Sequence, residues 1–580
     1  MNNLSEFKKL LQQNMRQECK PTMREEEIHF NQLAMKKNLI FTLLKTMFLA
    51  SLLVLVHMSL HAQIRFEDVT AKAGLIEPLK GMMGHGAAWG DVNNDGYPDL
   101  FVGTFAKVEN TDYNLRGNTD GPAPDKLFIN NGDGTFTEVM DTPIRKIGWN
   151  SGAAFADFDN DGDLDLVVSH IALDSKPTAD IGNYLFENDG KGNFRDVTEK
   201  SGLDFGLPFV GRNTFVFDYD GDGMLDILMQ EDWVWPDEPG GNSRLMKNIG
   251  NLVFKDATAG AGLPHGFHTG LYGLGGFVGD INGDTWPDIF FAHSCRMFLN
   301  NGKGTFREKK YDMVEEIRTK PAPENNDWTC GADLGDIDND GDMDMVMGNH
   351  WAWESELDYR IWIFLNEGND EKGNPILKDI TIEAGIDTLR EKVPHIQLQD
   401  IDNDGWLDIL ASRCEAFVYR NNGIREGIPV FDKPYDSGIE GGIGYWACGP
   451  LADYDRDGRL DFIGPEWEPS VASPLLRNVT ENADNYLTVK LDLAGSPNRN
   501  GVGARVKLYE EGKCGVPDAY ISSREIILSS GYSSGYETIV HFGLPWNEKV
   551  DIQVLMPCDG PVYTASGVKR NQLFTFTGTK

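Results

Sequence analysis

Positive charge is what this chain has least of. Against 90 Asp and Glu stand 53 Lys and Arg, a formal charge of −37 over 580 residues. A surface of that sign lacks the basic patch that phosphates require, which excludes nucleic acid as a partner. Cysteine is scarce, seven in all, and neither Cys nor His falls in a zinc spacing. There is no Gly-x-Ser-x-Gly elbow and no phosphate-cradling loop, so Ser-nucleophile and nucleotide chemistry have no carrier. Beyond about Met58 no apolar run is long enough to cross a bilayer. The mature chain therefore has no expected membrane span.

Aspartate is present in excess, and it is periodic. Seven nine-residue segments share one pattern: DVNNDGYPD from Asp91, DFDNDGDLD from Asp157, DYDGDGMLD from Asp218, DINGDTWPD from Asp280, DIDNDGDMD from Asp336, DIDNDGWLD from Asp400 and DYDRDGRLD from Asp453. Oxygen side chains stand at positions one, three, five and nine. In chain order these are Asp91, Asn93, Asp95 and Asp99; Asp157, Asp159, Asp161 and Asp165; Asp218, Asp220, Asp222 and Asp226; Asp280, Asn282, Asp284 and Asp288. The last three sets are Asp336, Asp338, Asp340 and Asp344; Asp400, Asp402, Asp404 and Asp408; Asp453, Asp455, Asp457 and Asp461. Hard oxygen donors at this spacing, with a carbonyl near position seven, wrap a loop around a hard cation, and up to seven structural Ca²⁺ ions are expected. The acidity is thus largely a metal-binding signature. Position six is Gly in six copies, where the turn calls for positive φ. Thr285 replaces it in the fourth, the weakest expected site.

An EF-hand would end in Glu at position twelve. Here that position holds Val102, Val168, Met229, Phe291, Met347, Ala411 and Gly464. Short apolar runs such as Leu100-Phe101-Val102 follow instead and read as buried strands. The loops start 53 to 66 residues apart. Each unit adds a Gly-rich entry strand, as in Gly86-Ala87-Ala88-Trp89-Gly90, and a later hairpin with Asn-Gly chemistry, as in LFINNGDGTF from Leu127. Four short strands per unit predict an all-β fold, a seven-bladed β-propeller over residues 63–482. The last unit lacks a fourth strand, and the missing one stands at Phe66-Glu67-Asp68-Val69-Thr70. Pairing it with Leu475-Leu476-Arg477-Asn478 would close the ring and cover a sheet edge; the alternative is an open solenoid. Residues 483–580 alternate as strands without further loops and predict a separate small β domain.

Residues 35–62 read as a signal peptide. Met35-Lys36-Lys37 is the basic start, an apolar stretch follows to about Met58, and Leu60-His61-Ala62 is the cleavage site. Residues 1–34 then read as a mis-assigned extension, and an uncleaved anchor is the alternative. Export predicts an oxidising compartment, periplasmic, cell-surface or extracellular, and six cysteines remain for it. From their matching places in the repeat, bridges Cys295–Cys330 and Cys414–Cys448 are expected, with Cys514–Cys558 in the tail; buried thiols are the alternative.

The Asp loops with their N-x-G-x-G-x-F second halves resemble FG-GAP/VCBS repeats, the units of integrin α-type propellers, over about residues 64–480. The tail resembles the ASPIC/UnbV domain through GVGARVKLY from Gly501, GYSSG from Gly531 and His541-Phe542-Gly543-Leu544. It departs from that family in having Met556-Pro557 where Trp-Pro is usual. The combination resembles the cartilage acidic protein family and its bacterial relatives. This implies calcium-stabilised extracellular binding, and no catalytic residues come with it.

The strand order puts the loops between strands two and three, and between four and one, on the face away from the Asp loops. These connections carry His170, Glu231, Asp232, Trp233, Trp235, His350, Trp351, Trp353, Glu354, Glu466 and Trp467, and then His85, Trp149, Arg212, His265, His268, Trp328 and Trp446. Of these His170, Trp233, Trp235, Trp351, Trp353, Trp446 and Trp467 are the candidate contacts for a glycan or an extracellular protein, because Trp offers a flat amphipathic surface. Packing between blades is the alternative for each Trp taken singly. A polysaccharide lyase or hydrolase on the same face, and an adhesion component docking through its tail, are the competing functions.

Overall fold

A computed structural model describes residues 64–105, 123–172, 182–204, 209–231, 243–264, 275–292, 294–309, 311, 328–351, 361–386, 395–412, 416–432, 449–466, 468, 470–481, 483–532 and 534–578. The expected signal peptide and extension, residues 1–62, lie outside them. Among the described residues the chain is all-β, with only two four-residue helices, Ile76–Leu79 and Thr198–Ser201, and one 3₁₀ turn, Pro517–Ala519. None of these helices is long and apolar enough to cross a membrane.

Seven antiparallel units follow one another. The first consists of Gly84–Gly90, Asp99–Thr104, Lys126–Asn130 and Phe136–Glu138, paired in that order. Each Asp loop is the turn between the first and second strands, so its ninth residue opens the second strand; Gly90 faces Asp99 in register. Units two to five repeat this arrangement, with entry strands Asn150–Ala156, Phe209–Phe217, Gly276–Gly279 and Trp328–Gly335. Unit six pairs His395–Gln399, Asp408–Ser412 and Ala416–Tyr419, and its outer hairpin Asn421–Arg425 with Ile428–Phe431 forms a sheet of its own. Unit seven pairs Leu451–Ala452, Asp461–Ile463 and Leu475–Asn478. Its fourth strand is Phe66–Asp68 from the other end of the chain, with Phe66 opposite Asn478 and Asp68 opposite Leu476.

No single sheet closes on itself among the described residues; the units are joined face to face. A buried core lies between each consecutive pair. Phe155 and Leu166 meet Phe101 and Leu127 between units two and one, and Val167 meets Ile227 and Met246 between two and three. The series continues with Phe217 against Phe291, Phe290 against Met345, Ile363 against Ile409 and Leu410 against Phe462. It returns to its origin where Ile463 and Leu475 of unit seven pack with Trp89 and Phe128 of unit one. Each fully buried side chain of this size contributes about 1.5–3 kcal/mol. The Trp89 indole N–H adds a bond to the Pro450 carbonyl at 3.0 Å. The entry strands are built of small residues because they converge: a Cβ on Gly152 would stand 2.4 Å from the Arg212 carbonyl oxygen.

The tail has a core of its own, Leu487, Val489, Val506, Leu508, Val540, Phe542, Ile552 and Val554. It builds two sheets, of three and four strands. One tail hairpin, Ser529–Gly531 with Ser534–Gly535, leaves them and pairs with the repeats. Gly531 faces Gly276 antiparallel, and Gly535 runs parallel beside Ala88. The entry strands of units four and one thereby become parts of one ten-stranded sheet.

Candidate metal centres and the loops around them

The Asp loops owe their shape to two left-handed residues each. Position six has φ between 83° and 101° at its six glycines and 72° at Thr285. Position four is also left-handed, at 56–60° for Asn94, Asn160, Asn339, Asn403 and Arg456, with Gly221 and Gly283 in the remaining loops. Asn and Gly tolerate this conformation best. The position-six N–H then donates to the first Asp, as in Gly162 to Asp157 Oδ2 at 3.0 Å and Thr285 to Asp280 Oδ2 at 2.9 Å.

In five loops three carboxylate oxygens lie within 4.8 Å of one another: Asp157, Asp159 and Asp161; Asp218, Asp220 and Asp222; Asp336, Asp338 and Asp344; Asp400, Asp402 and Asp404; Asp453, Asp455 and Asp461. Loops one and four carry Asn93 and Asn282 at position three, each donating through Nδ2 to the next Asp at 2.9 and 3.0 Å. The Oδ1 atoms of Asp157, Asp220, Asp402, Asp453 and Asp455 are buried and accept no hydrogen bond from the protein. Orphaned buried acceptors are costly unless a ligand satisfies them. Burial, with like charges nearby, pushes Asp157 and Asp453 up to about 7 and Asp165 and Asp99 up to about 8. Asp288, Asp344 and Asp461 are raised well above the carboxylate range for the same reasons. A site of oxygen donors that hold their charge this poorly alone fits a hard divalent cation.

The ninth-position Asp has a second task. In six loops its Oδ2 accepts the N–H of loop position two, as Asp99 does from Val92 at 2.9 Å. In all seven its Oδ1 accepts the N–H of one Asn on the third strand, namely Asn130, Asn188, Asn248, Asn300, Asn366, Asn421 or Asn478. Each of these Asn side chains then reaches the preceding unit's loop, donating to its position-two carbonyl at 2.8–3.1 Å. Asn130 of unit one donates to Tyr454 of unit seven, so the series has no free end. Sequence reasoning read these Asn residues as turn chemistry only. Their fixed place at the end of every third strand was the signal.

The tail touches all seven loops. Lys490 Nζ lies 3.9 Å from Asp91, and the Asn498 N–H donates to Asn160 Oδ1 at 2.9 Å. The Cys558 thiol donates to the Asp218 carbonyl at 3.5 Å, and its N–H to that of Thr285 at 2.7 Å. The hydroxyls of Tyr520 and Ser523 donate to Asp336, and the Gly543 N–H to Asp400 at 2.9 Å. Arg456 of the seventh loop pairs with Glu537 at 2.7 Å. Beside the fourth loop, buried Arg505 lies 3.4 Å from Asp280 and 3.7 Å from Glu525, whose carboxyl burial pushes up to about 7.

Comparison with known proteins matches this two-part build. The FG-GAP-like repeat family matches residues 106–168 and 280–347, and the ASPIC and UnbV family matches 494–580. The chain carries FG-GAP-like repeats and a C-terminal ASPIC/UnbV domain. It is similar to cartilage acidic protein 1 of Xenopus tropicalis, 27% identical over 55% of this chain and 46% of that one. The human protein of the same name is 28% identical over 53% and 44%. The chain thus spans about half the length of the curated relatives it matches. Among solved structures, the Vibrio cholerae biofilm matrix protein Bap1 aligns over 85% of this chain and 68% of that one, with 14% identity and a TM-score of 0.30. BBS1N, solved in complex with ARL6DN, aligns over 72% and 98%, with 10% identity and a TM-score of 0.38.

The other candidates scatter. Trp233, Trp235, Trp353, Trp446 and Trp467 lie outside the described residues, as do Asp232, His265, His268 and Glu354. The backbone of Trp351 ends a strand opposite Trp328. His170 is fully buried, its Nε2 2.7 Å from Asp125 and its ring edge-on to Tyr184. Glu231 and Glu466 are buried. His85, Trp149 and Arg212 do come together, around a residue the sequence did not single out. Tyr532 of the ASPIC/UnbV hairpin accepts from Arg212 Nη1 at 3.0 Å and stands 3.3 Å from His85 Nε2. Phe105 stacks between His85 and Trp149, and His395 packs against Tyr532.

The disulfides are a correction. Among the described residues no disulfide forms, so the expected Cys295–Cys330 and Cys514–Cys558 bridges are absent. Cys295 sits in a left-handed turn with its thiol 3.3 Å from the Ala292 carbonyl and 3.4 Å from the Thr329 hydroxyl. Cys558 points to Asp218, while the Cys514 N–H is bonded to Asp551, 3.3 Å away. Cys414 and Cys448 lie outside the described residues.

Proposed function

We propose that this protein is an extracellular, calcium-binding seven-bladed β-propeller that serves as a binding or adhesion module for a glycan or protein ligand. The ring reading is carried by one observation: cores and Asn bonds link unit to unit and return from the seventh to the first. The calcium reading rests on the all-oxygen donor sets and their orphaned buried carboxylate oxygens. Similarity to a protein named for cartilage supports an extracellular setting. Bound calcium would screen the mutual repulsion of each loop and hold consecutive blades in place. The protein residues do the rest: the first Asp fixes the loop's backbone, and the ninth ties it to the third strand.

Binding is favoured over polysaccharide cleavage because His85, Arg212, His395 and Tyr532, the titratable residues brought together by the tail hairpin, are all buried, with His85 and Arg212 engaged by the Tyr532 hydroxyl and His395 packed against its ring. The long connections rich in Trp supply the recognition surface. The test is a glycan array and polysaccharide pull-down with the calcium-loaded chain, with products assayed for cleavage. Calcium-dependent retention without new chain ends is expected. Depolymerisation would overturn the binding reading.

A further inference from the structure

The seven Asp loops are built alike, but two different devices balance the charge of five of them. In loops three, six and seven a cation stands immediately before the third-strand Asn. Lys247 holds Asp220 and, at 2.7 Å, Asp222. Arg420 holds Asp402 and Asp404, and Arg477 holds Asp455 at 2.6 Å and Asp457 at 2.7 Å. In each case the cation takes Oδ2 of the third-position Asp, while Oδ1 of the same carboxylate stays buried without a protein partner. The side chain is thus already turned with one oxygen outward and one inward. In loops one and four the charge is reduced at source, since Asn93 and Asn282 replace the third Asp.

Loops two and five have neither device: among the described residues no cation pairs with their carboxylates within 4.0 Å, and the tail's Arg499 beside Gly162 of loop two and Arg505 and Lys507 near Asp342 of loop five act on them only from farther away. The residues at the bracing position are Glu187 and Leu365, and both loops add a fifth carboxylate at position seven, Asp163 and Asp342. Asp157 Oδ1 of loop two is buried and unpartnered, and that residue is only 2% exposed. Asp157, Asp159 and Asp161, and likewise Asp336, Asp338 and Asp344, crowd within 4.8 Å.

We infer that the loops form two functional classes: loops two and five are the tight calcium sites on which stability depends, and the braced or Asn-relieved loops bind weakly and keep their shape without the ion. This deepens the calcium reading above and rests on it. A fixed unit charge within a few ångströms of the ion opposes it by Coulomb repulsion, worth roughly tenfold or more in affinity even with strong screening. The same charge stabilises the empty loop.

The experiment is a titration of the full-length, chelator-stripped chain with Ca²⁺ against a competing chelator, with bound metal counted by elemental analysis. Two tight ions are expected, separated by about tenfold or more from the rest. The double variant D159N/D338N should remove the tight class, whereas D220N should leave it intact. K247M should raise the tight count to three. Placing a brace in loop two by E187K, at a half-buried position whose Glu now pairs with Arg195, should lower it to one. Equal affinities at all loops, or tight binding insensitive to both K247M and E187K, would overturn the two-class inference alone. A chain that binds no calcium would overturn the calcium reading itself.

Discussion

The repeats and the tail solve the problem of burying surface in opposite ways. Every repeat is locally simple: a Gly-rich strand, an Asp loop, an apolar strand and an Asn-tipped hairpin, each sharing its core with its neighbours, joined between units two and three by Val502 and Leu528 of the tail. The ASPIC/UnbV tail has an internal core, yet it spends many of its polar residues on the repeats, from Lys490 at the first loop to Glu537 at the seventh. The repeats are acidic where the tail is cationic: Lys490, Arg499, Arg505 and Arg524 all feel loop carboxylates. Periodic structure is written in short-range pattern. Docked structure is written in single residues whose partners are hundreds of positions away.

Four predictions probe that contrast. The largest effect falls on the repeats. Stripping calcium from the whole chain should lower the melting temperature sharply, since each tight site contributes about 2.7 kcal/mol at a hundredfold excess of ion; calorimetry with and without chelator measures it. Next is the tail's buried charge. Arg505→Met leaves Glu525 and Asp280 facing each other, and breaking such a pair should destabilise by about 3–5 kcal/mol, read from denaturant unfolding. A smaller loss is expected from Asn248→Ala. It removes the side-chain bonds to the Phe158 and Leu225 carbonyls at 2.8 and 3.1 Å and leaves both oxygens orphaned, for about 2–3 kcal/mol. Equal loss on mutating an exposed Asn such as Asn131 would remove the special standing of the inter-unit bond. The smallest is Tyr532→Phe, about 1 kcal/mol for one hydroxyl shared by Arg212 and His85.

The tail contact also predicts a pH response. Burial holds His395 down to about 3. Between its ordinary value near 6.5 and that depressed value, the unfolded chain binds a proton that the folded one refuses, so this residue's contribution is full above about pH 6.5 and is lost as pH falls. His395→Gln should flatten the acid limb of the stability curve in calcium-saturated protein. An unchanged limb would place the acid sensitivity elsewhere.

Much of this was legible in the sequence. The Asp loops, their Gly at position six and the partnership of Phe66–Asp68 with Leu475–Asn478 follow from spacing alone. The Asn of each third strand was equally visible, but its bond crosses to a neighbouring unit and has no signature within one repeat. The bracing cations became meaningful only once the register placed Lys247, Arg420 and Arg477 over their loops. The Cys295–Cys330 bridge failed because matching positions in a repeat do not bring thiols face to face, and Cys295 turns to Thr329; in the tail, Cys558 is drawn to Asp218. Tyr532 lay hidden because the Gly-Tyr-Ser-Ser-Gly segment stood out only as a mark of the family resemblance, whereas its hairpin joins two distant entry strands.

Closure of the repeats through the N-terminal strand is the central claim, and amide hydrogen exchange tests it without altering the chain. The Val69 N–H donates to the Leu475 carbonyl at 2.9 Å and the Val479 N–H to the Arg65 carbonyl at 2.8 Å. In the calcium-loaded protein the amides of Phe66–Val69 should exchange as slowly as those of Leu475–Asn478, and both should open together when unit seven opens. Fast exchange at Phe66–Val69 beside a protected Leu475–Asn478 would contradict closure.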